Sequence, residues 1–289
     1  MSGAAGQSTD DHERLRRMFT SRARDLTIEP LGGGLAARCY RVEGDGLDCA
    51  VRLRNPVRSD FRLDPEAEKR LLRTLAAAGI APPPVEIDAG PGALVTQFLP
   101  GAVPWTPTDA RAGTNIRRLA ARLEALHAIE TELKPFEAVA AAEAYTRAAA
   151  AHLDLHEEQR RWRSELLRLA EAFARRFPAT TLCHNDLVAS NILDDGHLWL
   201  LDFEYAALGD PILDLASVAG LNDFASPQRA ELVSAYYAGK TVPFTPEELD
   251  EVIRWLRLLA YFWALARGSE QRDARSFEAF AGQLAAVLR

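Results

Sequence analysis

The period of the apolar positions changes near residue 98 of the chain. Before that point, short runs alternate apolar and polar residues with the period of two that is typical of strands. Two helices interrupt these runs: one begins at Asp10 or Asp11, and one is bracketed by Asp64 and Gly79, residue types that suit the two ends of a helix. We therefore predict a small mixed unit over residues 1–98, with strands at residues 26–30, 38–42, 48–54, 85–88 and 93–98.

Beyond residue 98 the apolar positions recur every three to four residues, which is the period of amphipathic helices. Leu99-Pro100-Gly101 has the composition of a hinge between the two patterns. A β-rich block at residues 181–211 separates the third helix from the fourth. Residues 99–289 are therefore expected to form a larger, mainly helical unit, with helices at residues 114–129, 134–152, 156–176, 211–221, 227–238, 246–266 and 272–288.

The charge of the chain is distributed unevenly between these two parts. The 289 residues include 34 basic and 41 acidic side chains, for a net charge of -7. Residues 1–98 hold 14 of each sign, whereas residues 99–289 hold 20 basic and 27 acidic side chains. Proteins that bind nucleic acids or anionic membranes use a basic surface instead. We expect neither partner, and a cationic or neutral ligand fits the second part better.

The three cysteines, Cys39, Cys49 and Cys183, are scattered and show no paired spacing. This argues against a disulfide framework or a zinc site and favours a reducing compartment. The N-terminal residues lack the apolar run of a secretory signal. The longest apolar stretch near the C-terminus, Leu258 to Ala266, is about half of the roughly 20 residues that a membrane span requires. A cytoplasmic location is therefore expected.

One group of polar residues in the β-rich block has the spacing of a phosphoryl-transfer site. His184-Asn185-Asp186 is followed by Asn191 and, after a predicted hairpin, by Asp202. Phosphoryl transfer needs one carboxylate that orients the attacking hydroxyl and takes its proton, and hard oxygen ligands for Mg²⁺. An Asp with an Asn five residues later and a second Asp beyond it is the pattern of protein kinases. We predict Asp186 as the catalytic base and Asn191 and Asp202 as metal ligands.

From about Leu31 to Trp263 the sequence resembles the aminoglycoside phosphotransferase and choline kinase superfamily, particularly its choline/ethanolamine kinase branch. The resemblance is densest in HNDLVASNIL, LLDFEYAALGDP and ILDLA. It implies a bilobal, protein-kinase-like α+β fold with ATP and Mg²⁺ as cofactors. The small N-lobe of that fold has an antiparallel sheet and a helix, and the helical C-lobe holds the catalytic loop and the acceptor pocket.

Two features distinguish this sequence from a protein kinase. Only seven residues separate Asp202 from Asp210, which opens the next helix, too few for a loop that docks a peptide. Asn185 also stands where protein kinases have Arg. The expected acceptor is therefore a small molecule.

The cation that clamps the nucleotide phosphates is predicted to be an arginine. None of the three lysines falls on a predicted strand, whereas Ala50-Val51-Arg52 repeats the Ala-to-cation spacing of the kinase third strand. Arg54, on the same face of the strand, is the alternative. Glu68 on the following helix is expected to hold the cation, and Gly33 and Gly34 to lie over the phosphates.

The remaining nucleotide contacts and the supporting residues follow from the resemblance. Gln97 and Leu99 occupy the place where a kinase hinge binds adenine through its backbone. Asp214 resembles the buried helix carboxylate that braces the catalytic loop, Asp210 resembles the N-cap of that helix, and His184 is expected to orient the loop.

The acceptor pocket is predicted from aromatic and acidic side chains. Aromatic faces and carboxylates bind a quaternary amine that is too bulky to hydrogen-bond. Glu204, Tyr205, Tyr261 and Trp263 are the candidates, although Ala260 replaces the first of two tryptophans that line the site in choline kinases. Trp263 also fits an ordinary core stripe.

Three functions therefore remain open at this stage. The first is a choline or ethanolamine kinase, the second is a thiamine, amino-sugar or sugar kinase of the same superfamily, and the third is a non-catalytic nucleotide-binding protein. The sequence predicts no particular oligomeric state.

Overall fold

The structure of the protein, a computed structural model, describes residues 2–32, 37–54, 61–87, 90, 92–270 and 274–289, and the side chains of residues 2–9, 269 and 270 are not described. The chain divides into two compact units. The first contains the residues up to Val103 together with Trp199–Leu201, and the second contains Pro104–Leu198 and Asp202–Arg289. The predicted boundary was at residue 98.

The first unit holds an antiparallel sheet of four strands in the order β1-β2-β3-β4. Its register pairs Tyr40 with Val51 and Val51 with Val95, so these side chains share one face of the sheet. Two helices accompany the sheet. The elements are α1 (Ser2–Phe19), β1 (Thr27–Leu31), β2 (Ala37–Gly44), β3 (Leu47–Arg54), α2 (Pro65–Ala77) and β4 (Ala93–Gln97).

Helix α1 covers the apolar face of this sheet. Its Leu15 and Phe19 are fully buried in one cluster with the apolar side chains of β2, β3 and β4. The helix begins at Ser2 rather than at Asp10 or Asp11, so the predicted cap was wrong. Asp11 instead lies inside the helix, where its buried carboxylate accepts hydrogen bonds from Arg38 and Tyr40 of β2.

Helix α2 has the ends that the sequence indicated. The Asp64 side chain accepts hydrogen bonds from the backbone amides of Glu66 and Ala67, at 3.1 and 2.9 Å. Gly79 ends the helix with φ of 67°, a left-handed conformation that glycine adopts without steric cost. Glu68 is thereby fixed in the first turn.

The strand predicted at 85–88 is not formed by its described residues. The sheet contact there is a single bridge between Pro84 and Thr96, extended by a hydrogen bond from Val85 N to Val95 O. Gln97 N also donates to Pro83 O, but Ile87 N donates to Val85 O within its own segment, so the pairing does not continue beyond Val85 in the described residues. Asp88 lies outside the described residues.

The second unit is mainly helical, and most of its helices lie within a few residues of their predicted positions. A short helix was not expected: Thr106 caps it by accepting from Asp109 N, while the Asp109 carboxylate accepts from Thr106 N. The helices are α3 (Pro107–Ala110), α4 (Gly113–His127), α5 (Ala138–His152), α6 (Glu157–Arg176), α7 (Ile212–Leu221), α8 (Ser226–Tyr236), α9 (Pro246–Glu270) and α10 (Ala274–Leu288).

Helix α5 starts four residues later than predicted because the backbone before it is bonded elsewhere. Phe136 N donates to Leu208 O, and Leu208 N donates to Lys134 O. Residues 134–136 therefore extend a small sheet instead of the helix.

The β-rich block at residues 181–211 contains four short strands, and the strand Val103–Pro104 pairs with one of them. A three-stranded sheet has the order β5-β7-β8, and β6 pairs antiparallel with β9. The five strands are β5 (Val103–Pro104), β6 (Thr181–Cys183), β7 (Ile192–Asp194), β8 (Leu198–Leu200) and β9 (Ala207–Gly209).

The end of β9 packs closely against the helix that follows it. A Cβ atom on Gly209 would lie 2.6 Å from Leu213 Cδ1 and 3.2 Å from Cys183 Sγ, so a larger residue there would require the Leu213 side chain to move. Within the described residues, no helix is both long enough and apolar enough to cross a bilayer.

Candidate active site

The pairing of β6 with β9 positions the predicted catalytic loop, residues 184–191. The register sets Cys183 opposite Ala207, so the loop that leaves β6 runs beside the segment that precedes β9. The His184 ring packs on Phe203 with 4.5 Å between ring centroids, and Asn185 Nδ2 donates to Tyr205 O at 3.0 Å. The loop and residues 202–205 therefore form one local structure.

Two residues of this structure have a left-handed backbone. Asn185 has φ of 67°, and Asp202 has φ of 65°. Asn and Asp adopt this conformation more readily than other non-glycine residues, since their short polar side chains hydrogen-bond locally. Asn185 therefore suits this position because it tolerates the left-handed backbone. The sequence had shown only that Asn185 replaces the Arg of protein kinases.

Asp214 of α7 braces the start of the loop, as the sequence suggested. Its carboxylate is fully buried and accepts hydrogen bonds from the amides of His184 and Asn185, each at 2.8 Å. It also accepts from His127 Nε2 at 3.0 Å, while His127 Nδ1 accepts from the Tyr236 hydroxyl at 2.7 Å. Burial alone would raise the pKa of Asp214, but the bonds to His127 and to the loop hold that pKa below its ordinary value.

His127, Cys183 and Asp214 are also the one cluster of three potential metal ligands within the described part of the chain. The ligand atoms of His127 and Asp214 are already bonded to each other, to Tyr236 and to the loop amides. Cys183 donates its thiol to Asp210 O at 3.4 Å. The cluster is therefore a set of hydrogen bonds, and Tyr236 is a member that the sequence analysis missed.

The other two supporting residues have modest roles. Asp210 Oδ1 accepts from Ile212 N at 3.0 Å, one residue before the N-cap position that Pro211 occupies. Burial raises the pKa of Asp210. His184 is fully buried, and its Nδ1 accepts from Asp186 N at 3.3 Å, so the ring helps to shape the loop.

Asp186 has the electrostatic environment of a base. Burial, together with the nearby charge of Glu204, raises its carboxyl pKa from 3.8 to about 7. Glu204 itself is 2% exposed. Two carboxylates held close together in a poorly hydrated site attract protons and cations.

Asn191 and Asp202 offer the oxygen atoms that Mg²⁺ prefers. Asn191 Nδ2 donates to Asp186 O at 2.8 Å, so the side-chain nitrogen is engaged and the amide oxygen is the atom that could bind a cation. Asp202 lies directly before a single 3₁₀ turn, Phe203–Tyr205, that also carries Glu204. The donor set of one amide and one carboxylate fits a magnesium ion.

In the first unit, Arg52 and Arg54 share the carboxylate of Glu68. Arg52 Nη2 donates to both oxygens of Glu68 at 2.6 and 2.8 Å, and Arg54 Nη2 donates to Oε2. Arg54 Nη1 also donates to Leu63 O at 3.1 Å. Glu68 is 1% exposed, and both arginine side chains are 9% exposed. Glu68 is thus a shared partner that holds the two guanidinium groups side by side.

The predicted hinge, residues 97–99, has backbone N–H groups that differ in their hydrogen bonding. Gln97 N donates to Pro83 O and Phe98 N donates to Asp48 O, whereas Leu99 N has no backbone acceptor within the described part of the chain. The Gln97 side chain is exposed. Gly33 and Gly34 lie outside the described residues.

The structure brings together three of the four predicted acceptor residues. Tyr205 follows Glu204 directly, and Trp263 Nε1 donates to the Tyr205 hydroxyl at 3.2 Å. Tyr261 does not join them: its ring packs on Trp162, and its hydroxyl accepts from Gln159 at 2.8 Å. Residues two apart on a helix face different directions, and this is why Tyr261 belongs to the core between α6 and α9 rather than to the site.

The fold and the site together define a phosphotransferase of the kinase-like class. A family model described as the phosphotransferase enzyme family matches residues 27–252. The chain belongs to this family, which confirms the class of enzyme predicted from the sequence.

Protein LicA from Haemophilus influenzae is 31% identical to the chain over 77 residues. That match spans 26% of this chain and only 28% of LicA.

Solved structures resemble the chain over nearly its whole length. A choline/ethanolamine kinase family protein from Mesorhizobium loti is 24% identical, with a TM-score of 0.76 over 96% of this chain and 93% of that one. Choline kinase LicA from Streptococcus pneumoniae is 20% identical, with a TM-score of 0.77 over 96% and 99%. At these identities the likeness concerns the fold, and it confirms the predicted kinase-like α+β class.

The raised pKa of Asp186 predicts a pH-dependent effect of Asp186→Asn on stability. Between about pH 4 and pH 7 the folded protein holds a proton on Asp186 that the unfolded chain has lost, so the free energy of unfolding falls as the pH rises through this interval. Asn cannot ionise and avoids this loss. In EDTA, the melting temperature of Asp186→Asn should exceed that of the wild type by more at about pH 8 than at about pH 5.

The exposed Asp154→Asn is the matched control, and its difference from the wild type should not change with pH. In a Glu204→Gln background the Asp186→Asn effect should shrink, since Glu204 contributes to the raised pKa. A difference between Asp186→Asn and wild type that stays constant over the pH range would contradict the assigned environment.

We predict that Arg52, rather than Arg54, is the cation that binds the nucleotide phosphates. Arg52→Lys keeps the charge but loses the planar fork that can bind Glu68 and a phosphate together. We expect its dissociation constant for ATP, measured by titration calorimetry with Mg²⁺, to rise about tenfold, the effect of roughly 1.4 kcal/mol.

Arg54→Lys is the matched control on the same strand face, with the same partner, and should change ATP affinity less. If Arg54→Lys has the larger effect, Arg54 is the clamping residue and the assignment to Arg52 is wrong.

Proposed function

We propose that the protein is an ATP- and Mg²⁺-dependent kinase that transfers the γ-phosphoryl group to the hydroxyl of a small cationic alcohol of the choline or ethanolamine type. The observation that carries this proposal is the placement of Asp186: its backbone carbonyl is bonded to the side chain of Asn191, and burial together with the charge of Glu204 raises its carboxyl pKa. A carboxylate with a raised pKa is a stronger base, which suits a group that orients a hydroxyl and accepts its proton.

In the proposed reaction Asp186 hydrogen-bonds the acceptor hydroxyl and takes its proton as the oxygen attacks phosphorus. The bond between the γ-phosphorus and the bridging oxygen breaks, and ADP leaves with the electron pair. Burial, and to a lesser extent the charge of Glu204, raises the pKa of Asp186, and this favours its taking the proton. There is little covalent chemistry for the protein to perform, so positioning and charge supply most of the rate.

Each unit offers groups that suit one part of a nucleotide. In the second unit, Asn191 and Asp202 would hold Mg²⁺, which when bound neutralises charge on the phosphate oxygens. In the first unit, the guanidinium groups of Arg52 and Arg54, held together on Glu68, suit phosphate groups. Leu99 N is a donor for the adenine ring, as in the hinge of the kinases that the sequence resembles.

The preference for a cationic acceptor is inferred from the surroundings of Asp186. Glu204 supplies a buried carboxylate beside the half-buried Asp186, and Tyr205 and Trp263 supply aromatic rings in the same structure. An aromatic face attracts an ammonium group without hydrogen bonds. The fold likeness to proteins named as choline and choline/ethanolamine kinases supports this acceptor class.

An acceptor panel tests the proposed function. Wild type with ATP and Mg²⁺ should release ADP when given choline or ethanolamine, and less with thiamine, an aminoglycoside or a neutral sugar. Asp186→Asn is the inactive control and should lower turnover by about 10²- to 10⁴-fold. Preference for a neutral sugar would refute the cationic acceptor, and no acceptor-dependent release above Asp186→Asn with any compound would refute the kinase.

Trp263→Leu tests the aromatic contact with the acceptor. Leu keeps much of the apolar volume but removes the ring face, a loss of about 0.5–2 kcal/mol for a cation. The KM for the amine should rise about two- to thirtyfold, with the KM for ATP unchanged.

Trp162→Leu is the control, since Trp162 is buried against Tyr261 in the core. It should lower the melting temperature and leave the amine KM unaltered. The same pattern in Trp263→Leu would make Trp263 a core residue and remove it from the acceptor site.

A further inference from the structure

The backbone of the catalytic loop lacks the hydrogen bonds of a regular sheet or helix between His184 and Ala189. Such groups are costly to bury without partners, so their partners show what fixes the loop. Asp214 bonds the first two amides, as described above. The next polar groups, on Leu187 and Ala189, are bonded by two other side chains of the segment that contains α7.

Ser217 and Asn222 are these two side chains. Leu187 N donates to Ser217 Oγ at 3.0 Å. Ala189 N donates to Asn222 Oδ1 at 2.8 Å, and Asn222 Nδ2 donates to Leu187 O at 3.1 Å. Ser217 and Asn222 are each 1% exposed. We refer to Asp214, Ser217 and Asn222 as the loop cradle.

The amide of Asn222 is itself held firmly. Its Nδ2 makes a second bond, to Val218 O at 2.8 Å, and its backbone carbonyl accepts from Arg111 Nη1 at 3.1 Å. A side-chain amide is the group that can accept from one loop residue and donate to another at the same time. A hydroxyl or a carboxylate in this position would satisfy fewer of these bonds.

The bonded residues lie between the base and the metal ligand. Leu187 and Ala189 fall inside the five-residue step from Asp186 to Asn191, and Asn191 Nδ2 bonds Asp186 O across that step. We propose that Ser217 and Asn222 are positioning residues that set the placement of Asp186 relative to Asn191 through the backbone of Leu187 and Ala189. This role rests on the proposed function, although the cradle itself can be observed without it.

The cradle predicts slow hydrogen exchange at two loop amides. In the wild type, Leu187 N and Ala189 N should exchange at least about tenfold more slowly than the exposed turn at residues 195–197, as expected of bonded and buried amides. Ser217→Ala should release Leu187 N, and Asn222→Ala should release Ala189 N. Unprotected amides in the wild type, or protection that survives both substitutions, would overturn the proposal.

Activity separates positioning from plain stability. A small misplacement of a reacting group costs up to about 10²-fold in rate, so Asn222→Ala should lower kcat by about 10- to 100-fold and Ser217→Ala by less, with the acceptor KM changed less than about twofold. Thr146→Ala is the control: Thr146 is also buried, but its hydroxyl bonds only backbone carbonyls of its own helix α5. It should leave both loop exchange and kcat unchanged at temperatures where each variant is folded.

Each outcome bears on one of the two proposals. Faster exchange with normal kcat in the cradle variants would overturn the positioning role. Should Asn222→Ala not fold, Ser217→Ala and exchange in the wild type decide in its place. A wild type that protects both amides but phosphorylates no acceptor would refute the proposed function while leaving the cradle intact.

Discussion

The site depends on how a buried loop with irregular backbone satisfies its polar groups. The loop after β6 cannot form a ladder, because Asn185 has turned into the left-handed region and the chain must expose Asp186 and Asn191. The carboxylate of Asp214 accepts hydrogen bonds from the first two amides of the loop. The bond from His127, which is itself bonded to Tyr236, offsets the cost of burying this carboxylate. Helix α7 is buried over almost its whole length, and its polar side chains form hydrogen bonds with the loop rather than with solvent.

Each unit gathers side chains of like charge. In the second unit, the charge of Glu204 contributes to the raised pKa of Asp186, and in the first, Arg52 and Arg54 share the carboxylate of Glu68. A ligand that binds the folded protein and not the unfolded chain adds stability by mass action. A bound cation and a bound polyphosphate would therefore each raise the free energy of unfolding.

The sequence was sufficient for elements with local signals. Asp64 and Gly79 marked α2 because capping is local, and the spacing from Asp186 to Asn191 and Asp202 marked the loop because that chemistry allows few substitutes. Tyr261 and Asp11 were misassigned since their partners, Trp162 and Arg38, are distant in sequence. The sequence does contain a signal for Ser217 and Asn222, because they are polar residues within an almost wholly apolar segment. A buried polar side chain needs a hydrogen-bond partner.

The brevity of the connection from Asp202 to α7 has a consequence for control. Residues Ala207–Gly209 form β9, and Thr180 N and Phe136 N donate to Gly209 O and Leu208 O. Gly209 also packs closely against Leu213 and Cys183. A switch needs a segment with two arrangements of similar free energy, and this one is bonded along both of its edges. The segment between Asp202 and α7 therefore offers no second arrangement that a regulatory switch could use.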